Sequence, residues 1–167
     1  MHIETQFSIF LINKPGILAQ VLGELAREKI NIIAMTMMDS VEHGVLRVVT
    51  GQREKTSDIL RRLNASVNET EVLCVNLSNK AGALADVVSQ LASDHININY
   101  AYCTAGARGG RTTGILKVAD VKKASRILEK VSSHGSFKGG STKKTAIRTS
   151  VKKTKLRSAP GRRSRKV

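Results

Sequence analysis

This sequence of 167 residues contains few aromatic residues and no long apolar run. Aromatics make up 3% of the chain and tryptophan is absent, which argues against a protein that binds single-stranded nucleic acid by base stacking. No apolar run approaches the ~20 residues that a transmembrane helix needs. The first residues also lack the basic and apolar regions of a secretory signal peptide. We therefore expect a cytoplasmic protein with no membrane association.

Patterns for metal binding and catalysis are absent as well. The two cysteines, Cys74 and Cys103, lie far apart, so we expect two packed thiols in a reducing compartment, with a redox pair as the alternative. The histidines have no metal-ligand spacing, and no catalytic motif accompanies them. We expect no cofactor, no metal and no enzymatic activity. The four histidines are His2, His43, His95 and His134.

Acidic residues are missing from the C-terminal part of the chain. All 13 Asp and Glu lie at or before Glu129, whereas the region from His134 onward contains 12 Lys and Arg. The net charge of +15 therefore comes mostly from this region, and the rest of the chain is close to neutral. Residues 136–167 are rich in Gly, Ser, Thr and basic residues, a composition that predicts a disordered tail.

The tail offers clusters of cations that could contact the phosphates of a nucleic acid. Such binding would be independent of sequence and sensitive to salt. A solvated tail without a partner is the alternative. The clustered residues are Lys152, Lys153, Lys155, Arg157, Arg162, Arg163, Arg165 and Lys166.

An internal duplication organises the rest of the chain. The segment 13–32 aligns with 79–98 at an offset of 66, and 11 of the 20 positions are identical. Each copy predicts a short strand, an Asn-Lys-x-Gly turn, a helix with an apolar stripe, two strands and a second helix. This order predicts an α+β fold of two ferredoxin-like βαββαβ units packed side by side, in residues 1–70 and 71–135.

The closing strands of the two units differ in how well they can be placed. In the first copy the closing strand falls within residues 67–75, where the first strand of the second copy begins, which favours one continuous strand. The second copy has only poor candidates, at 136–137 and 146–151. Aligning Gly44 with Gly114 gives four extra residues in the Gly/Arg-rich segment 105–111, for which we predict a hairpin loop rather than a phosphate-binding loop.

The Asn-Lys-x-Gly turns have chemistry that suits an amino acid. A helix N-terminus has free N–H groups that attract a carboxylate, and Gly16 and Gly82 place no side chain over the backbone. The amides of Asn13 and Asn79 can both donate and accept hydrogen bonds. The alternative is that these asparagines cap their helices.

The repeated turn, the Leu/Val stripe of the following helix and the repeated Ile-Asn-Ile segment resemble the ACT domain. This resemblance implies a regulatory module that pairs side by side and binds an amino acid at the domain interface. In the serine-sensing ACT domain of phosphoglycerate dehydrogenase, ligand contacts come from the turn asparagine and from an asparagine that opens the next strand of the partner. The implied ligand-binding residues are Asn13, Lys14, Pro15, Gly16, Ile17, Leu18, Asn31, Asn79, Lys80, Ala81, Gly82, Ala83 and Asn97.

The first turn matches this pattern better, because Ala81 replaces the proline in the second copy. We expect Asn31 or Asn97 opposite the first turn. The serine sensor has a histidine two residues before the turn asparagine, where this chain has Leu11 and Leu77, so the specificity for serine does not carry over.

Two functional hypotheses follow. The first is a non-catalytic, allosteric amino-acid sensor that forms a homodimer or a pseudo-dimer within one chain. The alternative is a nucleic-acid-associated protein that uses the basic tail, with the folded body serving dimerisation.

Overall fold

The computed structural model describes residues 1–38, 43–104 and 111–133. Within these ranges, no helix has the length and apolar composition that a bilayer crossing requires. In chain order the elements are β1 (His2–Ile12), α1 (Ile17–Arg27), β2 (Ile32–Met38), β3 (His43–Thr50), α2 (Arg53–Arg62), β4 (Ser66–Ser78), α3 (Ala83–Ser93), β5 (Ile98–Cys103), β6 (Arg111–Val118) and α4 (Val121–Ser133).

The six strands form one antiparallel sheet in the order β2-β3-β1-β4-β6-β5. The first unit occupies the β2-β3-β1 side and the second unit the β4-β6-β5 side. The helices α1 and α2 pack on the first unit, and α3 and α4 pack on the second. The predicted α+β fold, with two ferredoxin-like units side by side, is confirmed.

Strand β4 is shared by both units. Its first part, from Ser66 to Cys74, pairs with β1, and its last part, from Leu73 to Ser78, pairs with β6. The strand therefore closes the first unit and opens the second, which confirms the prediction of one continuous strand. The boundary expected after residue 70 lies inside this strand.

Strand β1 has the reciprocal role. Residues from Gln6 to Ile12 pair with β3 in the first unit, whereas His2 to Glu4 pair with Val72 to Cys74 in the second. The start of the chain thus supplies the closing strand of the second unit. The two candidates proposed from the sequence, at 136–137 and 146–151, lie outside the described residues.

The alternation of side chains along β1 and β4 builds a core beneath each helix pair. Odd-numbered residues of both strands face the helices, because successive residues of a strand point to opposite sides. The first core contains Phe7, Ile9, Leu11, Val21, Leu25, Ile30, Leu46, Val48, Ile59 and Leu60. The second contains Leu73, Val75, Leu77, Val87, Leu91, Ile96, Leu116, Val118, Val121, Ala124 and Leu128.

The central part of the opposite face of the sheet is buried without any helix. A third apolar cluster lies there, and its members come only from strands. Fully buried Gln6 joins this face: its Nε2 donates to the Tyr100 hydroxyl at 2.8 Å, and the Tyr102 hydroxyl donates to its Oε1 at 3.1 Å. The members of the cluster are Ala34, Val49, Val72, Cys74 and Ile115.

These contacts require the sheet to curl. Gln6 on β1 is three strands away from Tyr100 on β5, which is about 14 Å in a flat sheet at about 4.8 Å per strand. The guanidinium of Arg47, on β3, lies 3.9 Å from the centroid of the Tyr100 ring, although four strand spacings separate them. The two sides of the sheet therefore fold toward each other over the polar centre at Gln6.

The register corrects the expected size of the insertion. In the first unit Leu46 pairs with Met37, and in the second Gly114 pairs with Cys103. Gly114 is therefore the structural equivalent of Leu46, not of Gly44, and the insertion before β6 is two residues rather than four. The hairpin-loop prediction falls largely on residues 105–110, which lie outside the described residues.

A Gln6→Leu substitution tests the polar centre. The change leaves the hydroxyls of Tyr100 and Tyr102 without their partner in a partly buried site, so we expect a loss of about 1–3 kcal/mol in the free energy of unfolding. Urea unfolding followed by circular dichroism measures it. The exposed Gln20→Leu substitution on α1 is the control, and an unchanged stability of Gln6→Leu would contradict the assignment.

Candidate functional site

The two strand–helix turns have nearly the same backbone geometry. In the first, the Lys14 N–H donates to the Ile12 carbonyl at 2.8 Å; in the second, the Lys80 N–H donates to the Ser78 carbonyl at 2.7 Å. The glycine before each helix has a positive φ, 89° at Gly16 and 92° at its equivalent in the second unit. This left-handed conformation explains why both copies have glycine there.

Neither turn asparagine caps its helix. The N-cap residues are Gly16 and Gly82, which have no side chain to donate or accept, and no hydrogen bond links Asn13 or Asn79 to the first turn of the helix. The capping alternative is therefore wrong. The first N–H of each helix, at Ile17 and Ala83, donates to the carbonyl of Lys14 or Lys80 at 3.4 and 3.3 Å. The next N–H groups of an α-helix have no intrahelical partner, so both turns still leave donors at the helix start.

The predicted turn residues lie at the surface. A Cβ atom built on Gly16 or Gly82 would meet no atom within 4 Å, so the space above both turns is open to a ligand. Ile17, Leu18 and Ala83 are half-buried against the cores. The exposed residues are Asn13, Lys14, Pro15, Gly16, Asn79, Lys80, Ala81 and Gly82.

Asn31 and Asn97 lie away from the turns of their own units. Ile32, the residue after Asn31, pairs with Thr50, and the neighbouring Val49 pairs with Gln6. Asn31 therefore lies level with the part of β1 near Gln6, whereas the first turn follows Ile12 at the end of that strand. About 20 Å of strand therefore separates Asn31 from the first turn, at about 3.4 Å per residue. Asn97 precedes β5, at the other edge of the sheet. Within one chain, Asn31 therefore does not reach the first turn.

A cavity of about 500 Å³ lies next to the first turn, between the end of β1, the start of α1 and the connection from α2 to β4. None of its lining side chains is charged. Of its lining residues, sequence reasoning included only Ile17. It missed those that flank the turn in β1 and α1, and it missed those from 63 to 66, which are distant in sequence. The lining residues are Phe10, Leu11, Ile12, Ile17, Gln20, Val21, Leu63, Asn64, Ala65 and Ser66.

The corresponding cavity of the second unit is smaller, about 120 Å³. It lies between the end of β4 and the start of α3, and Met1 and Leu128 also line it. The electrostatics differ too: the first turn of α1 has no acidic residue, whereas that of α3 contains Asp86, which opposes the binding of an anion. The first unit is thus better suited to a carboxylate ligand.

The two cysteines do not form a redox pair. Cys74 is buried on the helix-free face, whereas Cys103 is exposed and points to the other face, near Gly114 and Leu77. Only one of the two expected packed thiols is therefore packed. Burial, helped by the charge of Glu4, raises the pKa of Cys74 to about 12.

No group of three or more metal-ligating side chains occurs in the described part of the chain.

Burial also raises the pKa of Tyr102, which keeps its hydroxyl protonated as the donor to Gln6.

Thiol labelling provides a direct check of this arrangement. At pH 8 we expect the native protein to react at Cys103 only, and the urea-unfolded protein to react at both thiols, because the buried Cys74 stays a thiol. Since the folded pKa of Cys74 is raised, its contribution to stability is complete below about pH 9 and is lost as the pH rises toward 12. Rapid labelling of Cys74 in the native state would contradict the packing described.

The chain matches the family model of the ACT domain pair over residues 1–133. Among solved structures it is similar to protein BT0572 from Bacteroides thetaiotaomicron, with 29% identity and a TM-score of 0.72; the match covers 78% of this chain and 89% of that chain. A search of curated proteins finds no match.

Two further solved structures share the fold. The ligand-free regulatory subunit of aspartate kinase from Thermus thermophilus has 15% identity and a TM-score of 0.58, over 78% of this chain and 97% of that chain. The corresponding subunit from Thermus flavus has 16% identity and a TM-score of 0.54, over 77% and 93% of the two chains.

Proposed function

Because the chain belongs to the family of ACT domain pairs, we propose that it is a non-catalytic regulatory protein that binds an amino acid at a strand–helix turn. The observation that carries this proposal is the duplicated turn itself. In both copies a left-handed glycine precedes a helix whose first N–H groups have no side-chain cap. Uncapped donors at an open surface suit the α-carboxylate of an amino acid.

Asn13 supplies the second part of the proposed recognition. Its side chain is exposed beside the helix start and makes no hydrogen bond within the described residues, so its amide is available to a ligand. An amide can accept from the α-ammonium group and donate to the carboxylate. The lining of the adjacent cavity is uncharged, which favours an amino acid with an uncharged side chain.

A second chain would complete the site. The end of β2 lies level with Phe10, since Met38 pairs with Val45 and Val45 pairs with Phe10. If the β2 edges of two chains pair antiparallel, the start of one β2 comes next to the end of the other. Asn31 of the second chain then lies at the same end of the sheet as Asn13, which agrees with the partner asparagine of the serine sensor.

The side chains along β2 support pairing at this edge. Met35, Met37 and Met38 are 40%, 44% and 50% exposed, respectively, and methionine is common at binding surfaces. The equivalent positions of β5 are Ala101, Cys103 and Thr104, which are small or polar. The two edges of the sheet are thus unequal, and the homodimer interface is proposed at β2 rather than β5.

In this proposal the ligand acts by changing the pairing of the two chains, and a separate protein responds to that change. A ligand can shift such an equilibrium only to the extent that it binds one arrangement more tightly. We take residues 1–70 as the unit that binds the ligand and residues 71–135 as a second copy that binds it less tightly. Both cysteines are free thiols, which agrees with a location in the cytoplasm.

Thermal unfolding in the presence of each of the twenty amino acids tests ligand binding. At about 100 times its dissociation constant, the true ligand should stabilise the fold by about 2.7 kcal/mol. Asn13→Ala should remove most of this effect and Asn79→Ala much less. The exposed Asn68→Ala on β4 is the control. The site assignment fails if Asn13→Ala keeps the full response, and the sensor proposal fails if no amino acid has an effect.

A paired substitution tests the dimer. Replacing Met35 and Met37 by lysine places two cations on the β2 edge, and charged side chains on an edge strand oppose strand pairing. We expect light scattering after size exclusion to show a dimer for the native protein and a monomer for this variant. The same two changes at Ala101 and Cys103 form the matched control on β5 and should leave the dimer intact. Dissociation by the control, or a monomeric native protein, contradicts the proposal.

A further inference from the structure

Helix α4 has a strongly one-sided distribution of charge. Successive residues of an α-helix are 100° apart, since one turn contains 3.6 residues. Lys122, Lys123, Arg126 and Lys130 therefore fall within an arc of about 100°. The buried residues of this helix, Val121, Ala124 and Leu128, lie on the opposite side and fix its orientation, so the basic arc faces solvent.

The equivalent arc of α2 provides an internal comparison. The buried Thr56 and Leu60 of α2 correspond to the buried Ala124 and Leu128 of α4, which gives an offset of 68. At this offset the four basic positions of α4 correspond to two acidic and two basic residues, so the arc of α2 is electrically neutral. These residues are Glu54, Lys55, Asp58 and Arg62.

The ion pairs of the two helices differ in the same way. In α2, all four basic side chains have carboxylate partners, at distances from 2.9 to 3.6 Å. The hydrogen bond from Arg62 is also the main cause that lowers the pKa of Glu28. In α4, by contrast, Lys122, Lys123 and Arg126 have no carboxylate within ion-pair distance among the described residues. The paired residues of α2 are Arg53, Lys55, Arg61 and Arg62.

Two carboxylates near α4 offset part of the charge of the arc, which leaves an excess of two positive charges from four cations. Glu129, the acidic residue of this helix, accepts a hydrogen bond from the Ser125 hydroxyl at 3.0 Å. Asp120 accepts from the backbone N–H of Lys123 at 2.8 Å, which is a contact at the start of the helix. Lys122, Lys123 and Arg126 form no ion pair among the described residues, so their charges can interact with an external anion.

We infer that the basic arc of α4 is a binding surface for the phosphate backbone of a double-stranded nucleic acid. The arc extends about 12 Å along the helix, and a duplex presents about seven phosphates over that length. The sequence that follows α4 adds 12 Lys and Arg without an acidic residue, which increases the total positive charge of this part of the chain. This surface is distinct from the amino-acid site.

Two observations favour a duplex over other polyanions. Helices that insert into anionic membranes expose an apolar face, but the apolar face of α4 is buried in the second core. Proteins that bind single strands stack bases on aromatic side chains, and α4 contains no aromatic residue. Backbone phosphates of a duplex need only positive charge at the right spacing.

Fluorescence anisotropy of the full chain with a labelled 20-base-pair duplex, in ~50 to ~200 mM KCl, tests the inference. The variant replaces Lys122, Lys123 and Arg126 by glutamine. The slope of log Kobs against log salt should become shallower by about 2 to 3, since each lost phosphate contact changes it by about 0.9. Arg126→Gln alone should change the slope by about 0.9.

The matched control removes three positive charges from α2, by glutamine at Arg53, Arg61 and Arg62, and should leave the slope nearly unchanged. An equal change in the control would show that only net charge matters and would overturn the proposal. So would an unaltered slope in the α4 variant, absence of duplex binding at ~50 mM salt, or preferential binding to phosphatidylserine vesicles through the same residues. Circular dichroism confirms that each variant is folded.

Discussion

The antiparallel pairing of β1 with β4 is the interaction on which the rest of the molecule depends. Each of these strands is long enough to serve two units, and each one closes the unit that the other one opens. Their odd-numbered residues form the floor of both helix-covered cores, and the even-numbered residues Gln6, Ser8, Val72 and Cys74 are buried on the opposite face. A register shift of one residue would exchange these faces and expose both cores at once. The position of the two turns, at opposite ends of the central pair, follows from the same register.

Much of this arrangement could be predicted from local sequence. The turn, the apolar stripe of the helix and the continuous β4 all depend on neighbouring residues, and the duplication shows each of them twice. The closing strand of the second unit could not be predicted, because it comes from the start of the chain, from residues 68 to 72 positions before the ones with which they pair. The curl of the sheet could not be predicted either, since it depends on hydrogen bonds from Gln6 to Tyr100 and Tyr102, three strands away.

The candidate site shows the same division between local and long-range information. Sequence similarity located Asn13, Gly16 and their copies, but it could not distinguish a capping asparagine from a free one, which depends on where the helix begins. The residues from 63 to 66 that line the cavity reach it through the α2–β4 connection. The alignment of Gly44 with Gly114 gave the wrong size for the insertion before β6. The strand pairing follows the apolar pattern of the core rather than the identity of these residues.

The sharing of the central strands has a consequence for how such a chain could arise. A protein with a single unit of this kind would have a long first strand whose early residues find no place in its own sheet. Two such chains would complete each other by exchanging those residues, as a domain-swapped dimer does. Joining the two chains into one would preserve every strand pairing and would free each half to diverge. The methionine-rich edge of one half and the basic helix of the other are then separate specialisations of a once symmetric assembly.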